Sequence, residues 1–229
     1  MHEPRTAGAT RAATVDWAVP PGPRDWLFGT GATRAERGVV WATTGVAVGV
    51  LLLTAPDDWS WLTWAVVLLV ALDVTGGVAA NALGSAKRLY HAPLDPPVTR
   101  LDRVLHDHVA FTALHVHPFV LAAVVPDATW VWALWWYLVP LAGVILVRAV
   151  PPYLERPVAL GFATVALVAA PIAGAPDGLA WFGPVMVLKL VVAHAVREEP
   201  YRPAVRSTDV GPGSHPGDAP DAAQGPTRA

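Results

Sequence analysis

The chain has 229 residues, of which 54% are apolar and 15% are charged, and its formal net charge is −2. Soluble domains carry roughly 25% charged residues, so this composition indicates an integral membrane protein and lacks the basic surface needed for nucleic-acid binding. The chain contains no cysteine, which excludes disulfides, iron–sulfur clusters and thiolate metal sites.

Six apolar segments are each long enough to cross the hydrocarbon core of a bilayer, which takes about 20 residues. The first, fourth and fifth segments carry no charge, whereas polar residues interrupt the second, third and sixth. The sequence therefore predicts an all-α integral membrane protein, a bundle of six transmembrane helices. The segments are Gly38–Ala55, Trp59–Leu83, Val109–Val125, Ala128–Val147, Pro157–Ala175 and Gly178–Val196.

Basic residues are distributed unevenly among the connections between these segments. Apart from Lys189, they lie in the first 37 residues, in alternate connections and in the C-terminal tail, while the other connections hold only aspartates. The positive-inside rule therefore predicts a multi-pass protein of the bacterial inner (plasma) membrane with both termini cytoplasmic. The predicted organisation is an N-terminal tail over 1–36, a six-span domain over 37–198 and a disordered C-terminal tail over 199–229, rich in Pro, Gly, Ala and Asp.

The segment before the first span has no apolar core of a signal peptide, so the first span is expected to be an uncleaved anchor. Its stretch "VDWAVPPGPRDWLFG" contains Trp17, Trp26 and Phe28. Two alternatives are open: these aromatic residues hold the stretch on the membrane surface, or the whole tail is disordered.

The third span contains an unusual concentration of histidine, in "LHDHVAFTALHVHPFV". On a regular helix with about 100° per residue, His108 and His115 share one face, and His106 and His117 share the opposite face. A single site built from all four imidazoles is therefore not expected. Because a polar side chain inside a membrane avoids lipid, this helix should lie centrally in the bundle.

Two local signals modify this third span. The sequence "TRLD" at Thr99–Asp102 fits a capping box, so the helix should begin well before the apolar stretch. Pro118 disfavours helical conformation at His117 and predicts a kink there.

The polar residues of the second, third and sixth spans fall at two depths when residues are counted along each span. One set lies near the bilayer middle and the other near the cytoplasmic surface. The deep set is Asp73, His115, His117 and Lys189. The shallow set is Asn81, His106, His108 and His194, with Glu198 beyond them. This concentration predicts a buried polar site facing the cytoplasm.

The basic stretch "SAKRLYH" follows the second span and contains Lys87, Arg88 and His91. Clusters of this kind bind anionic lipid headgroups at the cytoplasmic surface. The alternative is a pocket for a phosphate-bearing substrate.

A metal-dependent intramembrane enzyme is the first functional hypothesis. Imidazoles with a carboxylate are usual ligands of zinc and non-haem iron, and haem would use axial histidines from the third and sixth spans. No standard metal-binding spacing is present, so the ligands would have to come from separate helices. The candidate metal ligands are Asp73, His108, His115 and His117, and the candidate catalytic residues are His194 and Lys189.

Two other classes of function stay open. Intramembrane Asp, His and Lys also form proton relays and proton-coupled transport sites, and an Asp73–Lys189 pair that opens and closes would suit a small transporter, in which case six spans favour a homo-oligomer. In the third class the polar residues only hold the bundle together, in a non-catalytic assembly or structural protein whose partner is the lipid bilayer.

Overall fold

The computed structural model describes residues 13–94 and 97–203. The chain is mostly helical (67%), as the composition predicts. The predicted C-terminal tail lies outside the described residues from residue 204 onward, as do the first twelve residues of the predicted N-terminal tail.

The first two helices form an antiparallel pair with well-defined starts. Helix α1 (Arg34–Thr54) begins with a capping box, in which the Thr33 hydroxyl accepts from the Glu36 N–H and the Glu36 carboxylate accepts from the Thr33 N–H. Helix α2 (Trp61–Ala82) is capped by Ser60. The two helices approach closely at Gly76, where an added Cβ would lie 2.7 Å from Thr44 Oγ1.

A group of short helices follows α2, in the region where the sequence predicts a basic connection and then the third span. These helices are α3 (Gly84–His91), α4 (Arg100–His106), α5 (His108–Ala113) and α6 (His117–Val124). The capping box at Thr99–Asp102 is confirmed as the start of α4. The axis of α4 makes an angle of 90° with the helical segment that follows it.

The third span is interrupted twice, near Pro118, where the sequence predicts a kink, and at Asp107, where it does not. The helix breaks at Asp107, whose carboxylate caps α5, and breaks again over residues 114–116. Pro118 lies in the first turn of α6, where its missing N–H costs nothing, so the second break follows the proline signal. The faces computed for a regular helix therefore do not apply to His115 and His117.

The remaining helices close the bundle. They are α7 (Trp130–Arg148), α8 (Pro152–Ala173) and α9 (Phe182–Val187), and α9 runs directly into a π-helix (Leu188–His194). Helix α2 packs against both α1 and the π-helix, and α7 packs against α6 and α8. The core lies where these helices meet, around residues that are fully buried: Val67, Leu121, Val144, Phe182 and Leu190.

In the described part of the chain, α1, α2, α7 and α8 are long and apolar enough to span a membrane, and the bent α4–α6 segment makes five if it counts as one span. In place of the predicted sixth span there are six residues of α-helix followed by seven of π-helix. The outward surfaces are apolar, with Leu53, Val168 and Ile172 more than three-quarters exposed. Such surfaces suit contact with lipid.

The N-terminal stretch packs against the bundle from Val15 onward. Phe28 is buried beside Val40 and Ala80, and its carbonyl accepts a hydrogen bond of 2.5 Å from Ser85 Oγ. Asp25 holds the turn by accepting from the N–H groups of residues 27 and 28. This part of the tail is therefore ordered. Separately, the strands β1 (Ala13–Val15) and β2 (Tyr201–Pro203) form a small two-stranded sheet.

Candidate functional site

The deep polar residues meet at the carboxylate of Asp73. Lys189 Nζ donates to Asp73 Oδ2 at 2.5 Å, and His117 Nε2 lies 3.3 Å from the same oxygen. His117 Nδ1 is buried and has no hydrogen-bond partner among the described residues. Asp73 Oδ1 receives no hydrogen bond from any residue within 13–94 and 97–203.

The π-helix and a glycine bring Lys189 to this position. Lys189 lies in the first turn of the π-helix and is only 3% exposed. Its side chain crosses α2 at Gly77, where an added Cβ would lie 2.5 Å from Lys189 Cε. Widened turns of this kind are frequent at functional sites.

His115 lies beside this group, in the break between α5 and α6. Its Nδ1 donates to the Phe111 carbonyl at 2.8 Å, which fixes the neutral tautomer in which Nε2 is the acceptor. Its ring centroid is 5.4 Å from that of His117. The interrupted helix therefore brings together two imidazoles that a regular helix would separate.

These residues line a cleft of about 660 Å³. Its walls come from the N-terminal stretch, α1, α2, α4, α5 and the residues that follow α5, and they are mostly apolar. Several wall residues are themselves exposed, including Leu69, Leu101 and Leu114, so the cleft is open to the outer surface of the protein. The polar lining residues include Thr44, Asp73, Asn81, Tyr90, His115, His117 and Lys189.

Asp73 is the residue of the cleft whose charge would be most costly in contact with hydrocarbon. Its side chain is 48% exposed although it lies in the middle of α2, whereas the Lys189 side chain is 4% exposed. A carboxylate in contact with hydrocarbon costs at least a few kcal/mol, on the order of 3. The open side of Asp73 must therefore meet water or the polar group of a bound molecule.

Tyr90 is a lining residue that the sequence does not identify as part of the site. It lies on α3 and is 6% exposed. Burial and the nearby Asp73 carboxylate raise the pKa of Tyr90 to about 12, so its hydroxyl stays protonated. In the sequence Tyr90 stands next to Leu89 within a basic stretch, and no motif there marks it as part of a site.

Two of the shallow histidines, His108 and His194, form a second cluster together with His91. His108 Nδ1 and His194 Nε2 are 3.0 Å apart, and the rings of His91 and His108 have centroids 4.4 Å apart. His91 Nε2 donates to the His194 carbonyl at 3.0 Å, and burial lowers the pKa of His91. Phe111 stacks on His194 with centroids 4.0 Å apart and so lies between this cluster and His115.

The basic stretch on α3 is buried, which argues against the prediction that it binds lipid headgroups or a phosphate. Lys87 is 1% exposed and donates to the carbonyls of Ala193 and Val196 at 2.6 and 2.7 Å, where the π-helix ends. Arg88 is 3% exposed and donates to the Asp16 carbonyl. His91 joins the histidine cluster. These residues close the bundle instead of presenting charge at its surface.

The other residues of the predicted shallow set are dispersed. His106 Nε2 donates to the Ala92 carbonyl at 3.1 Å, and Glu198 lies between Lys87 and Arg156. Asn81 lines the cleft and takes no part in the histidine cluster.

The candidate metal ligands divide between the two groups. Asp73, His115 and His117 lie at the cleft, and His108 is held by His194. Across the described ranges, no set of three or more His, Asp or Glu residues is arranged to hold a metal ion. The Lys189 ammonium on Asp73 Oδ2 also opposes a second cation there. Zinc, iron or haem binding stays a prediction from the residue types.

No protein-family model, curated protein or solved structure matches this chain.

Proposed function

We propose that this chain takes up an amphipathic molecule from the bilayer and binds it by a hydrogen bond to the Asp73 carboxylate. In this proposal it is a six-span cell-membrane protein with both termini in the cytoplasm, the bent α4–α6 segment being the third span and α9 with the π-helix the sixth. The observation that carries the proposal is the half-exposed Asp73 carboxylate at the floor of an apolar cleft.

The polar floor favours a ligand group that donates a hydrogen bond. Lys189 and His117 both contact Asp73 Oδ2, so Oδ1 is the acceptor left for a ligand. The charges of Asp73 and Lys189 cancel, and a neutral donor such as a hydroxyl therefore fits better than an ion. The apolar walls fit a lipid-soluble body, as in most small-molecule sites.

A ligand hydroxyl would keep its own proton, because an aliphatic alcohol is a far weaker acid than a carboxylic acid, and it would donate a hydrogen bond to the ionised Asp73 carboxylate. His115 Nε2 is a further acceptor nitrogen that lines the cleft. An ion pair that served packing alone would not need an open carboxylate oxygen beside an apolar cleft.

Photocrosslinking tests the proposed uptake. The probe is a long-chain alcohol bearing a diazirine, mixed with the purified protein in lipid nanodiscs, and labelled peptides are identified by mass spectrometry. We expect labels on α2, α4 and α5, reduced by the wall substitution Leu114→Trp and by Asp73→Asn. The matched control is Val168→Trp, since Val168 is 77% exposed on α8, away from the cleft.

Uniform labelling of all lipid-facing helices, unchanged in Leu114→Trp, would contradict uptake into the cleft. Because Asp73→Asn leaves Lys189 unpaired, the double variant Asp73→Asn with Lys189→Met is measured beside it. The double variant also lacks the carboxylate but has no orphaned charge.

Single-cysteine labelling tests the proposed topology, since the natural chain has no cysteine. In intact cells a membrane-impermeant maleimide should label cysteine at Asp58, Asp127 and Asp177. It should label cysteine at Arg103 only after the membrane is permeabilised. The reverse pattern would overturn the orientation, and labelling of Asp177→Cys from the cytoplasmic side alone would overturn the sixth span.

A further inference from the structure

We infer that the occupant of the cleft is a hydroxylated acyl chain, whose carbonyl group pairs with Asn81 and whose mid-chain hydroxyl pairs with Asp73. The inference rests on the proposed function and specifies the class of molecule that the same cleft binds.

The first observation is that the buried Asn81 amide nitrogen has no hydrogen-bond partner among the described residues. Asn81 is 5% exposed and lines the cleft. A buried amide without a partner costs about 1–3 kcal/mol. Rotation of the amide exchanges Nδ2 and Oδ1, so the group is able to turn its donor to a ligand. A ligand carbonyl at this position would then accept a hydrogen bond from the Asn81 amide.

The spacing between Asn81 and Asp73 is the second observation. They are eight residues apart on α2 and line the same cleft, which corresponds to about 12 Å at about 1.5 Å per residue. Asn81 lies in the last turn of α2, and Asp73 lies near the middle of the helix. A molecule that contacts both is therefore long and lies along α2.

The cleft floor between these two residues suits an aliphatic chain. It consists of Gly76, Gly77 and Ala80, whose side chains are absent or short, and of the Lys189 methylenes that cross Gly77. Neither end of this path has a net charge, because Lys189 neutralises Asp73 and Asn81 is an amide. The ligand must therefore carry a hydrogen-bond acceptor opposite Asn81, an apolar stretch over the glycines and a donor opposite Asp73. An acyl ester or amide with a hydroxyl near the middle of its chain has this arrangement.

Binding of two matched probes tests this inference. The probes are the methyl ester of hydroxystearate, with the hydroxyl near mid-chain, and methyl stearate, each competing with the diazirine alcohol in nanodiscs. In the natural chain the hydroxyl should strengthen binding about tenfold, the value of one hydrogen bond to a charged group. In the double variant Asp73→Asn with Lys189→Met, the two esters should bind with more similar affinity.

The second arm of the test uses Asn81→Leu, which keeps the branching and the number of side-chain heavy atoms and removes the amide. It should weaken both esters by a similar factor, roughly fivefold to tenfold, and leave the preference for the hydroxyl unchanged. Asn81→Gln keeps an amide and should retain part of the binding. It serves as a control that distinguishes loss of the amide from loss of folding. Labelling of Val168→Trp should match the natural chain.

The outcomes separate the two proposals. If the alcohol labels the cleft but the esters do not compete, or compete equally in all variants, the acyl-chain inference fails and uptake at Asp73 stands. If the alcohol itself does not label the cleft, both fail.

Discussion

Lys189 Nζ lies 2.5 Å from Asp73 Oδ2 although 116 residues separate the two in sequence. The two partners have unequal surroundings, because the lysine side chain is 4% exposed and the aspartate side chain is 48% exposed. Removal of the aspartate and removal of the lysine should therefore lower the stability of the protein by different amounts.

Asp73→Asn should be the more damaging of the two single substitutions. It leaves the Lys189 ammonium buried without its counter-ion, which costs about 3–5 kcal/mol. Lys189→Met leaves a carboxylate that is still half exposed to the cleft, so its loss should be smaller. The double variant should regain most of the stability, as expected for two residues that act as a pair.

Thermal unfolding in detergent, followed by size-exclusion chromatography, measures these losses. Asp177→Asn is the control, because Asp177 is an exposed aspartate outside the cleft. A double variant as unstable as Asp73→Asn would show that the pair is not the stabilising contact.

A methyl group at Gly77 should disturb the site without changing any charge. An added Cβ would lie 2.5 Å from Lys189 Cε, so the lysine side chain must move away from Asp73. We expect Gly77→Ala to weaken binding of the hydroxystearate ester about tenfold and to lower stability by about 1–3 kcal/mol. Gly45→Ala is the matched control, because an added Cβ on α1 meets no atom within 4 Å. Equal effects of the two substitutions would contradict the role of Gly77.

The sequence predicts the membrane class and the depth of the polar residues. Hydropathy identifies the long apolar helices because the bilayer imposes a minimum length on them. Counting residues from the span ends placed Asp73, His117 and Lys189 at one level, and the structure brings these three residues into contact.

The arrangement around that contact could not be predicted, for local reasons. The breaks at Asp107 and before His117 turn the histidines away from the faces of a regular helix. The π-helix alters the phase of Lys189 and His194, and a sequence gives no reliable signal for such a helix. Lys87 looks like a surface cation because its partners are backbone carbonyls, which no sequence pattern displays.

Gly183→Ala should prevent α9 from packing on α7. An added Cβ would lie 2.1 Å from the Trp136 ring, and Trp136 is 3% exposed and so has no space to move into. We expect a loss of about 3 kcal/mol or more in unfolding free energy, as in severe overpacking. Gly161→Ala in α8 should leave stability unchanged or raise it slightly, since its Cβ meets nothing within 4 Å and alanine favours the helix. Similar unfolding temperatures for both variants would contradict this packing.

Lys87 should make stability depend on pH in a narrow alkaline range. Burial lowers the pKa of Lys87 from 10.5 to about 8, so between these values the unfolded chain holds a proton that the folded chain has released. The unfolded state then binds more protons, and the contribution of Lys87 to the free energy of unfolding rises with pH from about 8 to 10.5.

Lys87→Met should remove this rise, and it should also lower stability throughout because the carbonyls of Ala193 and Val196 lose their donor. The measurement is the unfolding temperature of both proteins across that pH range, with the difference taken at each pH so that contributions common to both proteins cancel. A difference that stays constant with pH would show that Lys87 keeps its ordinary pKa in the folded protein.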